Sequence, residues 1–424
     1  MNFQLIGVNH NSAPVEVRER LAITDAQLPD AVRTLVQQPG VEEGMVLSTC
    51  NRVELLTSGS QGSDLRGFFS LYFGMNPDSL NSHVYEFRHR EVVRHVFRVA
   101  SSLDSMVVGE PQILGQVKEA YALARGLGAV HSALDVLLSR AFAVAKRVRS
   151  ETAIGSSSVS ISSVAVQLAE KIFGSLQGTT VYLVGAGKMA ELAARRLMAN
   201  GVGRILFSNR THERALQMAE AFGGEAVPFE KLHETADRAD IVLTSTGASE
   251  YLFRREQGER FLARRRNRPM FFIDISVPRN VDPDVNRLDG MFVYDIDDLQ
   301  AVAAGNTEER KKEAERAERI IELEVERFDL RMKSLAVVPT ILSLQEQCET
   351  IRQAEMDRTR GKLGKLTAEQ EAAIDGMTRG IVNKLLHTPI TTLKSSAGEP
   401  EAATIHEIVR RIFNLGKNSG KPNG

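Results

Sequence analysis

Short apolar segments of strand type alternate with helical stretches over about the first 155 residues. The segments "FQLIGV" (3–8), "GMVLST" (44–49) and "RVELLTS" (52–58) have the length and composition of β-strands. Since helical periodicity lies between them, residues 1–155 are predicted to form a mixed α/β domain. The segment "AIGSSSVSISS" that follows is either a linker or the capped start of a helix that runs to Phe173.

A regular order of strand, turn and helix characterises the next region, from about residue 178 to 300. Its strands are continuous apolar runs, as in "TTVYLVGAG" (179–187), "RILFSNR" (204–210), "ADIVLTSTGA" (239–248) and "MFFIDISVP" (270–278). Apolar strands that alternate with helices are typical of a parallel sheet covered on both faces. Residues 156–300 are therefore predicted to form a doubly wound domain of the Rossmann type.

Residues 301–424 are predicted to be all helical and to begin with a long, highly charged helix. Its apolar positions recur in steps of four and three, at Ile321, Val325, Phe328, Met332 and Leu335. This stripe fits either a solvated helix with one packed face or a coiled-coil seam. Pro339 predicts a break, after which helical periodicity resumes.

Composition narrows the possible classes of protein. The 424-residue chain is 42% hydrophobic and 25% charged, with a formal net charge of −1, so any nucleic-acid contact depends on a local basic patch. Two cysteines, Cys50 and Cys348, predict neither a disulfide framework nor a CxxC metal site, and we assign Cys348 to packing. This cysteine content predicts a reducing, cytoplasmic location. The chain shows no signal peptide and no apolar run long enough for a membrane span.

A glycine-rich turn between a strand and a helix predicts a dinucleotide site. The pattern Gly185-x-Gly187-x-x-Ala190 permits a tight turn, a close approach of pyrophosphate to the backbone and close helix–sheet packing. An ordinary βα turn without a ligand is the alternative. The candidate contacts are Gly185, Ala186, Gly187, Lys188, Met189 and Ala190.

The end of the second strand of this domain favours NADPH over NADH. A carboxylate at that point would bind the ribose 2′-hydroxyl of NAD, but the chain carries Ser208, Asn209, Arg210 and Thr211. Hydroxyl groups and a guanidinium suit a 2′-phosphate instead. Arg210 could also be only a surface arginine.

Cys50 lies at the centre of a polar tetrad between two apolar arms, in "MVLSTCNRVELL" (45–56). Beside a dinucleotide domain, its thiolate could attack an acyl carbonyl and hold the acyl group for reduction. If the tetrad is extended, Arg52 lies on the same face and lowers the pKa of the thiol. A lone cysteine is also often a small buried hydrophobe, so both interpretations stand at this point.

His95 falls off the centre of the apolar face of its predicted helix, "REVVRHVFRVA" (90–100). A surface position is therefore the default, and a proton carrier is the alternative. Downstream, Gly109 and Pro111 predict a helix start. Four polar side chains lie beside this helix start: Ser105, Glu110, Gln112 and Gln116. They either cap the helix or bind a small polar substrate.

Six motifs in order give the chain a specific resemblance. They are "GVNHNSAPVEVRERLA", "LSTCNRVELL", "RVASSLDSMVVGEPQILGQVKEAY", "VGAGKMA", "SNRT" and "DISVPRNVDP". Over essentially its whole length the chain resembles glutamyl-tRNA reductase, the NADPH-dependent enzyme family that opens the five-carbon route to tetrapyrroles. The motifs are dense up to residue 300, and beyond that the likeness is one of composition.

The resemblance implies reduction of glutamyl-tRNA to glutamate-1-semialdehyde with release of the tRNA. It implies that Cys50 is the nucleophile and that His95 matters for activity. It also implies that the polar tetrad around Cys50 and the start of the helix after Gly109 bind the substrate. Those implied substrate contacts are Thr49, Cys50, Asn51, Arg52, Ser105, Glu110, Pro111, Gln112 and Gln116. It also implies a nucleotide loop at Gly185–Ala190, a homodimer held by the C-terminal helical domain, a long helix that links the domains, and no metal or flavin.

The implied mechanism leaves several points open. Arg52 either holds a substrate carboxylate or activates Cys50, and the proton carrier is undecided. Cys50 and the nucleotide loop lie in separate predicted domains, so we expect hinge closure through "AIGSSS" (153–158) and the segment near Gly305. Direct transfer of the aldehyde to an aminomutase is a further possibility. The rivals are a dehydrogenase of a free acid and a non-catalytic tRNA-binding protein.

Overall fold

The computed structural model describes residues 2–59, 63–74, 82–106, 109, 110, 112–155, 161–303, 308–364, 366–396 and 402–415. The chain divides into two compact units, Asn2–Glu322 and Leu323–Gly424. The first unit contains both sheets, and the described part of the second is helical. The predicted fold class, a multidomain α/β protein with a Rossmann-type domain and a helical C-terminal region, is confirmed.

The first sheet has four antiparallel strands in the order β2-β3-β1-β4. Its strands are β1 (Asn2–Asn9), β2 (Val41–Ser48), β3 (Arg52–Gly59) and β4 (Tyr85–Arg88). The predicted strands of the first region are confirmed. Helices pack around this sheet: α1 (Val15–Leu21), α2 (Leu28–Val36), α3 (Leu65–Phe73), α4 (Arg90–Ala100), α5 (Gln112–Gly126) and α6 (Ala133–Glu151).

A buried carboxylate from β2 holds the start of α6. Glu43 is 1% exposed and accepts hydrogen bonds from the backbone N–H groups of His131, Ser132, Ala133 and Leu134, at 2.5–3.1 Å. These N–H groups have no partner within the helix, and an anion at a helix N-terminus is favoured by the helix dipole. The amide bonds hold the pKa of Glu43 at about 2, against the opposing effect of burial.

Replacing Glu43 by glutamine is expected to lower the free energy of unfolding by about 2 kcal/mol, because charge-assisted bonds become neutral and one oxygen acceptor is lost. The folded-state pKa is depressed, so this stabilisation is complete above about pH 4.5 and is lost as the pH falls towards 2. Faster hydrogen exchange at residues 131–134 checks the local effect. The exposed neighbour Glu42, changed to glutamine, is the control, and equal exchange in both variants would contradict the prediction.

The second sheet has six parallel strands in the order β10-β9-β8-β5-β6-β7. The strands are β5 (Thr180–Val184), β6 (Arg204–Ser208), β7 (Glu225–Ala226), β8 (Ile241–Thr244), β9 (Met270–Asp274) and β10 (Met291–Tyr294). The order reverses between β5 and β8, and ligands of such folds bind at the carboxyl ends of the strands beside that reversal.

Alternating strand residues of this sheet enter two separate cores. Val181 and Leu183 face one core and Tyr182 and Val184 face the other. The helices that cover the two faces are α7 (Ile161–Phe173), α8 (Lys188–Ala199), α9 (His212–Phe222), α10 (Leu232–Thr235), α11 (Arg255–Arg264) and α12 (Ile296–Ala303). Helix α7 ends at Phe173, as the sequence predicts. Of the predicted hinge, residues 153–155 are described and residues 156–158 are not; residues 304–307, around Gly305, also lie outside the described part.

A 29-residue helix, α13 (Glu308–Ala336), spans the division between the two units. Within the first unit, Arg90 and Arg94 of α4 pair with Glu322, and Arg98 pairs with Glu318. These pairs are exposed, so each contributes little, but together they fix the register of α13 along α4. Of the predicted stripe, Ile321, Val325 and Phe328 are buried, Met332 is half-buried and Leu335 is exposed.

The second unit consists of the end of α13 and the helices α14 (Val338–Leu363), α15 (Ala368–Ser395) and α16 (Ala402–Ile412). The predicted break at Pro339 is confirmed, since α13 ends at Ala336 and Pro339 lies in the first turn of α14. Leu344, Leu386 and Leu393 form its core. A largely apolar groove of about 870 Å³ runs between α14 and α15. Among the described helices, none combines the length and the apolarity that crossing a bilayer requires.

Candidate active site

Cys50 lies in the tight turn that joins β2 to β3. Ser48 pairs with Val53, and the Thr49 N–H donates to the Arg52 carbonyl at 2.9 Å, so Cys50 and Asn51 form the tip of the hairpin. The Thr49 hydroxyl accepts from the N–H groups of Asn51 and Arg52, both at 3.2 Å. The tetrad is therefore not extended, and the condition for Arg52 to share a face with Cys50 is not met, because local side-chain bonds favour a turn over continued strand pairing.

Arg52 does not turn towards the thiol but anchors a buried charge cluster. Its guanidinium is 1% exposed and donates to the Glu54 carboxylate at 2.7 Å and to Asp104 Oδ1 at 3.0 Å. Two carboxylates thus compensate its charge. The pKa of Glu54 is held well below its usual range by Arg52 and His95, although burial acts in the opposite direction.

His95 is buried, at 4% exposure, so the surface position expected from helix periodicity is wrong. Its Nε2 lies 2.8 Å from Glu54 Oε1 and its Nδ1 lies 3.7 Å from Asp104 Oδ2. Tyr85 donates to the same Glu54 oxygen at 2.5 Å. These partners explain how a polar side chain is accommodated on a packed helix face. His95 thus contacts the same two carboxylates, Glu54 and Asp104, that pair with Arg52.

The predicted substrate residues converge on one small cavity of about 40 Å³. Its lining combines the Cys50 turn, the start of α5 and two residues of the Rossmann-type domain. It consists of Thr49, Cys50, Asn51, Arg52, Ser105, Met106, Glu110, Gln112, Ile113, Gln116, Ile161 and Met189. Pro111 lies outside the described residues. The volume holds only about three waters, so a larger ligand needs the walls to move.

Three polar atoms on this lining are buried without a hydrogen-bond partner in the described part of the chain. They are Arg52 Nε, Ser105 Oγ and Gln112 Nε2. A buried donor without an acceptor costs about 1–3 kcal/mol, so such groups are typical of sites that bind a polar ligand. All three can donate, which suits a ligand rich in oxygen atoms.

Burial governs the protonation of both ionisable groups in the cavity. Although Cys50 as a residue is half-buried, its thiol lies deep enough that burial raises its pKa to about 12, against Arg18 and Arg52. Burial also raises the pKa of Glu110 to about 7, although the Ile161 N–H opposes the shift. In this closed arrangement the thiol is neutral and Glu110 exchanges protons near neutral pH.

The glycine-rich turn has the geometry that a pyrophosphate needs. Gly185 has φ +113°, and a Cβ there would lie 2.1 Å from the Ser245 carbonyl oxygen, so only glycine fits. A Cβ on Gly187 would meet nothing within 4 Å, which leaves its outer face open to a ligand. Gly187 caps α8 without a side-chain bond, so the N-terminal N–H groups of α8 are available.

The end of β6 presents only part of the predicted set for the nucleotide ribose. Arg210 and Thr211 are exposed, and Asn209 is half-buried. Ser208 is 1% exposed and is the last residue of β6, so its predicted contact with the nucleotide is not supported. In a parallel strand, successive side chains face opposite sides, and the side chain of Ser208 faces the core.

Models of known families match the chain in three successive parts. The glutamyl-tRNA(Glu) reductase N-terminal domain matches residues 6–152, the shikimate/quinate 5-dehydrogenase model matches 167–302, and the glutamyl-tRNA(Glu) reductase dimerisation domain matches 316–415. A protein of Koribacter versatilis described as glutamyl-tRNA reductase 2 is 62% identical over 98% of this chain and 95% of its own length. The chain belongs to the glutamyl-tRNA reductase family.

Other members of the family are also similar along their whole length. Glutamyl-tRNA reductase of Solibacter usitatus is 49% identical over 98% of this chain and 100% of its own. The solved structure of glutamyl-tRNA reductase from Methanopyrus kandleri is 33% identical and covers 97% of this chain and 99% of its own, with a TM-score of 0.52. Family membership makes the chain an NAD(P)-dependent oxidoreductase with a nucleotide-binding domain of the dehydrogenase type.

Four residues that the sequence analysis missed contribute to this family site. Glu54 and Asp104 compensate Arg52, Arg18 donates to the Cys50 carbonyl at 2.8 Å, and His10 lies near the same charges. Burial, with Arg52, lowers the pKa of His10 to about 4, so its ring is neutral. Glu54 had a visible signal, because it follows Arg52 by two positions in a strand and so shares its face. The other three are brought in only by tertiary contacts.

Proposed function

We propose that the protein reduces glutamyl-tRNA(Glu) to glutamate-1-semialdehyde with NADPH, through a thioester on Cys50, and so supplies tetrapyrrole biosynthesis. One observation carries the proposal: the lining of a single cavity contains Cys50, three buried donors without partners and Met189 of the glycine-rich turn. The candidate nucleophile, the polar groups that could bind a substrate and the nucleotide loop thus line the same cavity. The substrate is taken from the names of the relatives.

In the first half-reaction the Cys50 sulfur attacks the carbonyl carbon of the aminoacyl ester. A C–S bond forms, the ester C–O bond breaks, and the tRNA 3′-oxygen leaves with a proton. In the second half-reaction the carbonyl carbon accepts a hydride, which bound NADPH supplies. The C–S bond then breaks, the aldehyde forms, and the sulfur takes up a proton from solution through a nearby carrier.

Arg52 binds substrate rather than activating the thiol. Its charge is already balanced by Glu54 and Asp104, whereas its Nε is a buried donor without a partner in the described part of the chain, and Arg52 lines the cavity. With Ser105 Oγ and Gln112 Nε2 it forms a wall of donors that suits the oxygen atoms of a glutamyl group. Free glutamate is rejected because it lacks the activated ester.

Glu110 is the proton carrier that the geometry favours. It lines the cavity with Cys50 and has a pKa of about 7, while His95 contacts the carboxylates that pair with Arg52 and is absent from the described lining. An ionised Glu110 accepts the thiol proton and passes it to the leaving 3′-oxygen; after reduction, its protonated form returns a proton to the sulfur. His95 is then a positioning residue.

The rate of thioester formation is expected to rise with pH as Glu110 ionises, since Glu110 acts as a base only in its ionised form; in the closed cavity its pKa is about 7. Glu110→Gln removes this rise and lowers the rate at pH 7.5 by about 100-fold. His95→Gln keeps the rise at a lower overall rate, because glutamine retains a donor towards Glu54 but positions Arg52 less well. Rapid-quench measurements from pH 5.5 to 8.5 check both; a pH rise that disappears in the His95 variant alone would reverse the assignment.

The residues present fit NADPH. Gly185 and Gly187 leave room for the pyrophosphate, the start of α8 supplies N–H groups, and Arg210 with Thr211 is exposed at the end of β6. A guanidinium and a hydroxyl favour the 2′-phosphate of NADPH over the 2′-hydroxyl of NADH.

Arg210→Asp is expected to lower the preference for NADPH over NADH by at least about 30-fold, since an anion repels the 2′-phosphate and accepts from a 2′-hydroxyl. Dissociation constants for the two nucleotides, measured by fluorescence titration of the full chain, check the ratio. Arg214→Asp, one turn into α9, is the charge-matched control. A ratio that changes equally in both variants would contradict a specific role for Arg210.

Trapping the acyl group tests the proposed function directly. The full chain is mixed with glutamyl-tRNA without NADPH, and the peptide that contains Cys50 is analysed by mass spectrometry. A glutamyl adduct on Cys50 that converts to aldehyde when NADPH is added supports the thioester. An unmodified Cys50 during normal turnover would overturn it, and NADPH oxidation with free glutamate in place of the charged tRNA would favour a dehydrogenase of a free acid.

The second unit supports a homodimer. The dimerisation-domain model matches residues 316–415, and the groove between α14 and α15 exposes Ile351, Met377 and Leu385. Exposed apolar side chains of this kind suit a second copy of the chain. The domain limits 1–155, 156–300 and 301–424, a cytoplasmic location and direct transfer of the aldehyde to an aminomutase stay predictions.

A further inference from the structure

One buried arginine joins the Cys50 turn to the nucleotide-binding domain. Arg18, on α1, is 1% exposed, and its NH1 donates to the Cys50 carbonyl at 2.8 Å and to Asn51 Oδ1 at 3.3 Å. Its Nε donates to the Ala13 carbonyl at 3.1 Å. Its NH2 pairs with Asp297, on α12 of the Rossmann-type domain. Every nitrogen of the guanidinium is therefore used.

The partners of Arg18 divide by domain and by charge. The three on the catalytic side, Ala13, Cys50 and Asn51, are neutral oxygen acceptors. The partner on the nucleotide side, Asp297, is the carboxylate that balances the positive charge. A buried guanidinium without a counter-ion is costly, so the charge balance of Arg18 requires the two domains to be docked.

Asp297 also holds the start of α1. Its second carboxylate oxygen accepts from the Val15 N–H at 3.0 Å, so one side chain fixes both the first turn of α1 and Arg18. A separate clamp, from Arg279 to Glu16 and Glu19, ties α1 to the same domain. In the described contacts of Arg279, none reaches the Cys50 turn. Of these two clamps, the Arg18–Asp297 pair is the one that joins the nucleotide-binding domain to the backbone of the Cys50 turn.

We propose that Arg18 is a positioning residue that transmits docking of the nucleotide domain, through Asp297, to the shape and the charge of the Cys50 turn. This inference rests on the proposed function and deepens it. When the domains are docked, the carboxylate of Asp297 balances the positive charge of Arg18, and the guanidinium of Arg18 holds the Cys50 carbonyl in place. When they separate, the charge of Arg18 is left beside Cys50 without its counter-ion.

The two states suit the two half-reactions. In the docked state the cavity is small and the thiol is neutral, which suits hydride transfer to a thioester that is shielded from water. In the separated state solvent reaches the sulfur, and the unbalanced charge of Arg18 stabilises the thiolate that attacks the ester. Domain motion thus alternates the site between acylation and reduction.

Asp297→Asn tests the charge part of this coupling without any substrate. Asparagine keeps the shape and one acceptor oxygen but removes the counter-ion. Because the pKa of Cys50 is about 12, the shift is measured as a labelling rate at pH 6 to 10, with peptide mass spectrometry to separate Cys50 from Cys348. Iodoacetamide is expected to label Cys50 about 10-fold faster at each pH than in the unmodified chain, which corresponds to a pKa lower by about one unit. The other charged groups that act on this thiol, Arg18, Arg52 and Glu110, are unchanged.

Asp298→Asn is the matched control, since it removes an exposed carboxylate from the same turn of α12, and its described contact is with Asp295. It is expected to leave the labelling profile of Cys50 as in the unmodified chain. Equal shifts in both variants, or no shift in Asp297→Asn, would overturn the proposal. Because labelling needs no glutamyl-tRNA, either result is independent of whether the thioester forms.

The half-reactions test the docking part. In Asp297→Asn, formation of the Cys50 thioester without NADPH is expected to be as fast as in the unmodified chain or faster. Reduction of the preformed thioester is expected to slow by at least about 10-fold, because the docked state loses its ion pair. Equal slowing of both steps, or of neither, would overturn the coupling. If the unmodified chain forms no thioester, the proposed function fails instead.

Arg18→Lys separates the shape of the turn from its charge. Lysine keeps the positive charge but cannot bond Ala13, Cys50 and Asp297 at once. The pKa of Cys50 is expected to stay within about 0.3 units of that in the unmodified chain while both half-reactions slow by at least about 10-fold. NADPH affinity and circular dichroism serve as measures of intact fold. Unchanged half-reaction rates in this folded variant would contradict a positioning role for Arg18.

Discussion

Replacing Cys50 by serine is expected to lower aldehyde formation from glutamyl-tRNA by at least about 10³-fold. The change keeps the size of the side chain and the hairpin turn, but a hydroxyl is far less acidic than a thiol. The site also supplies no strong base, because the pKa of Glu110 is only about 7 and that of His10 is about 4. The acyl ester that a serine formed would accept hydride more slowly than a thioester.

The control variant is Cys348→Ser, which changes the chain's other cysteine, on α14. It is expected to retain full turnover, since Cys348 belongs to the core of the second unit and not to the cavity. Both variants should bind NADPH as the unmodified chain does, measured by fluorescence titration. Aldehyde formation by Cys50→Ser at more than a tenth of the original rate would exclude the thioester route.

Arg52→Lys is expected to have the next largest effect, a loss of about 100-fold or more in kcat/KM together with about 3 kcal/mol of stability. Lysine cannot bridge Glu54 and Asp104 as the guanidinium does, so one buried carboxylate loses its partner. The buried Nε donor, which has no partner in the described part of the chain, disappears as well. Steady-state kinetics and urea unfolding followed by circular dichroism check the two effects.

Arg88→Lys, an exposed position on β4 of the same sheet, is the matched control and is expected to change neither quantity. The two effects of Arg52→Lys also distinguish its possible roles. If Arg52 activated the thiol by charge alone, lysine would preserve most of the activity. A stable Arg52→Lys protein with near-normal kcat/KM would therefore refute the binding role argued above.

The arrangement of the nucleotide-binding domain could be predicted because its signals are local and dense. Each apolar run became a parallel strand, and Gly185 is required by a close approach to Ser245 that the glycine pattern anticipates. The side chain of Ser208, predicted to contact the nucleotide, is buried for a local reason. The motif "SNRT" marks the end of β6, but strand alternation turns its first residue into the core.

The errors at the catalytic site came from interactions between distant segments. Helix periodicity put His95 at the polar flank, but Glu54 and Asp104 approach it from other elements and allow it to be buried. The sequence left the conformation of the Cys50 tetrad open, and the Thr49 hydroxyl closes a turn there. The cation that touches the Cys50 backbone is Arg18, from 32 positions earlier, and not the nearby Arg52.

The linear sequence was enough to identify the fold class, the nucleotide loop and the family, because each depends on residue types at short spacings. The three-dimensional fold alone decided which charges meet. It sets Arg52 between two carboxylates, joins Arg18 to Asp297 across 279 positions, and buries the thiol beside Glu110. Burial and long-range pairing set the protonation of these groups, and neither can be read from neighbours along the chain.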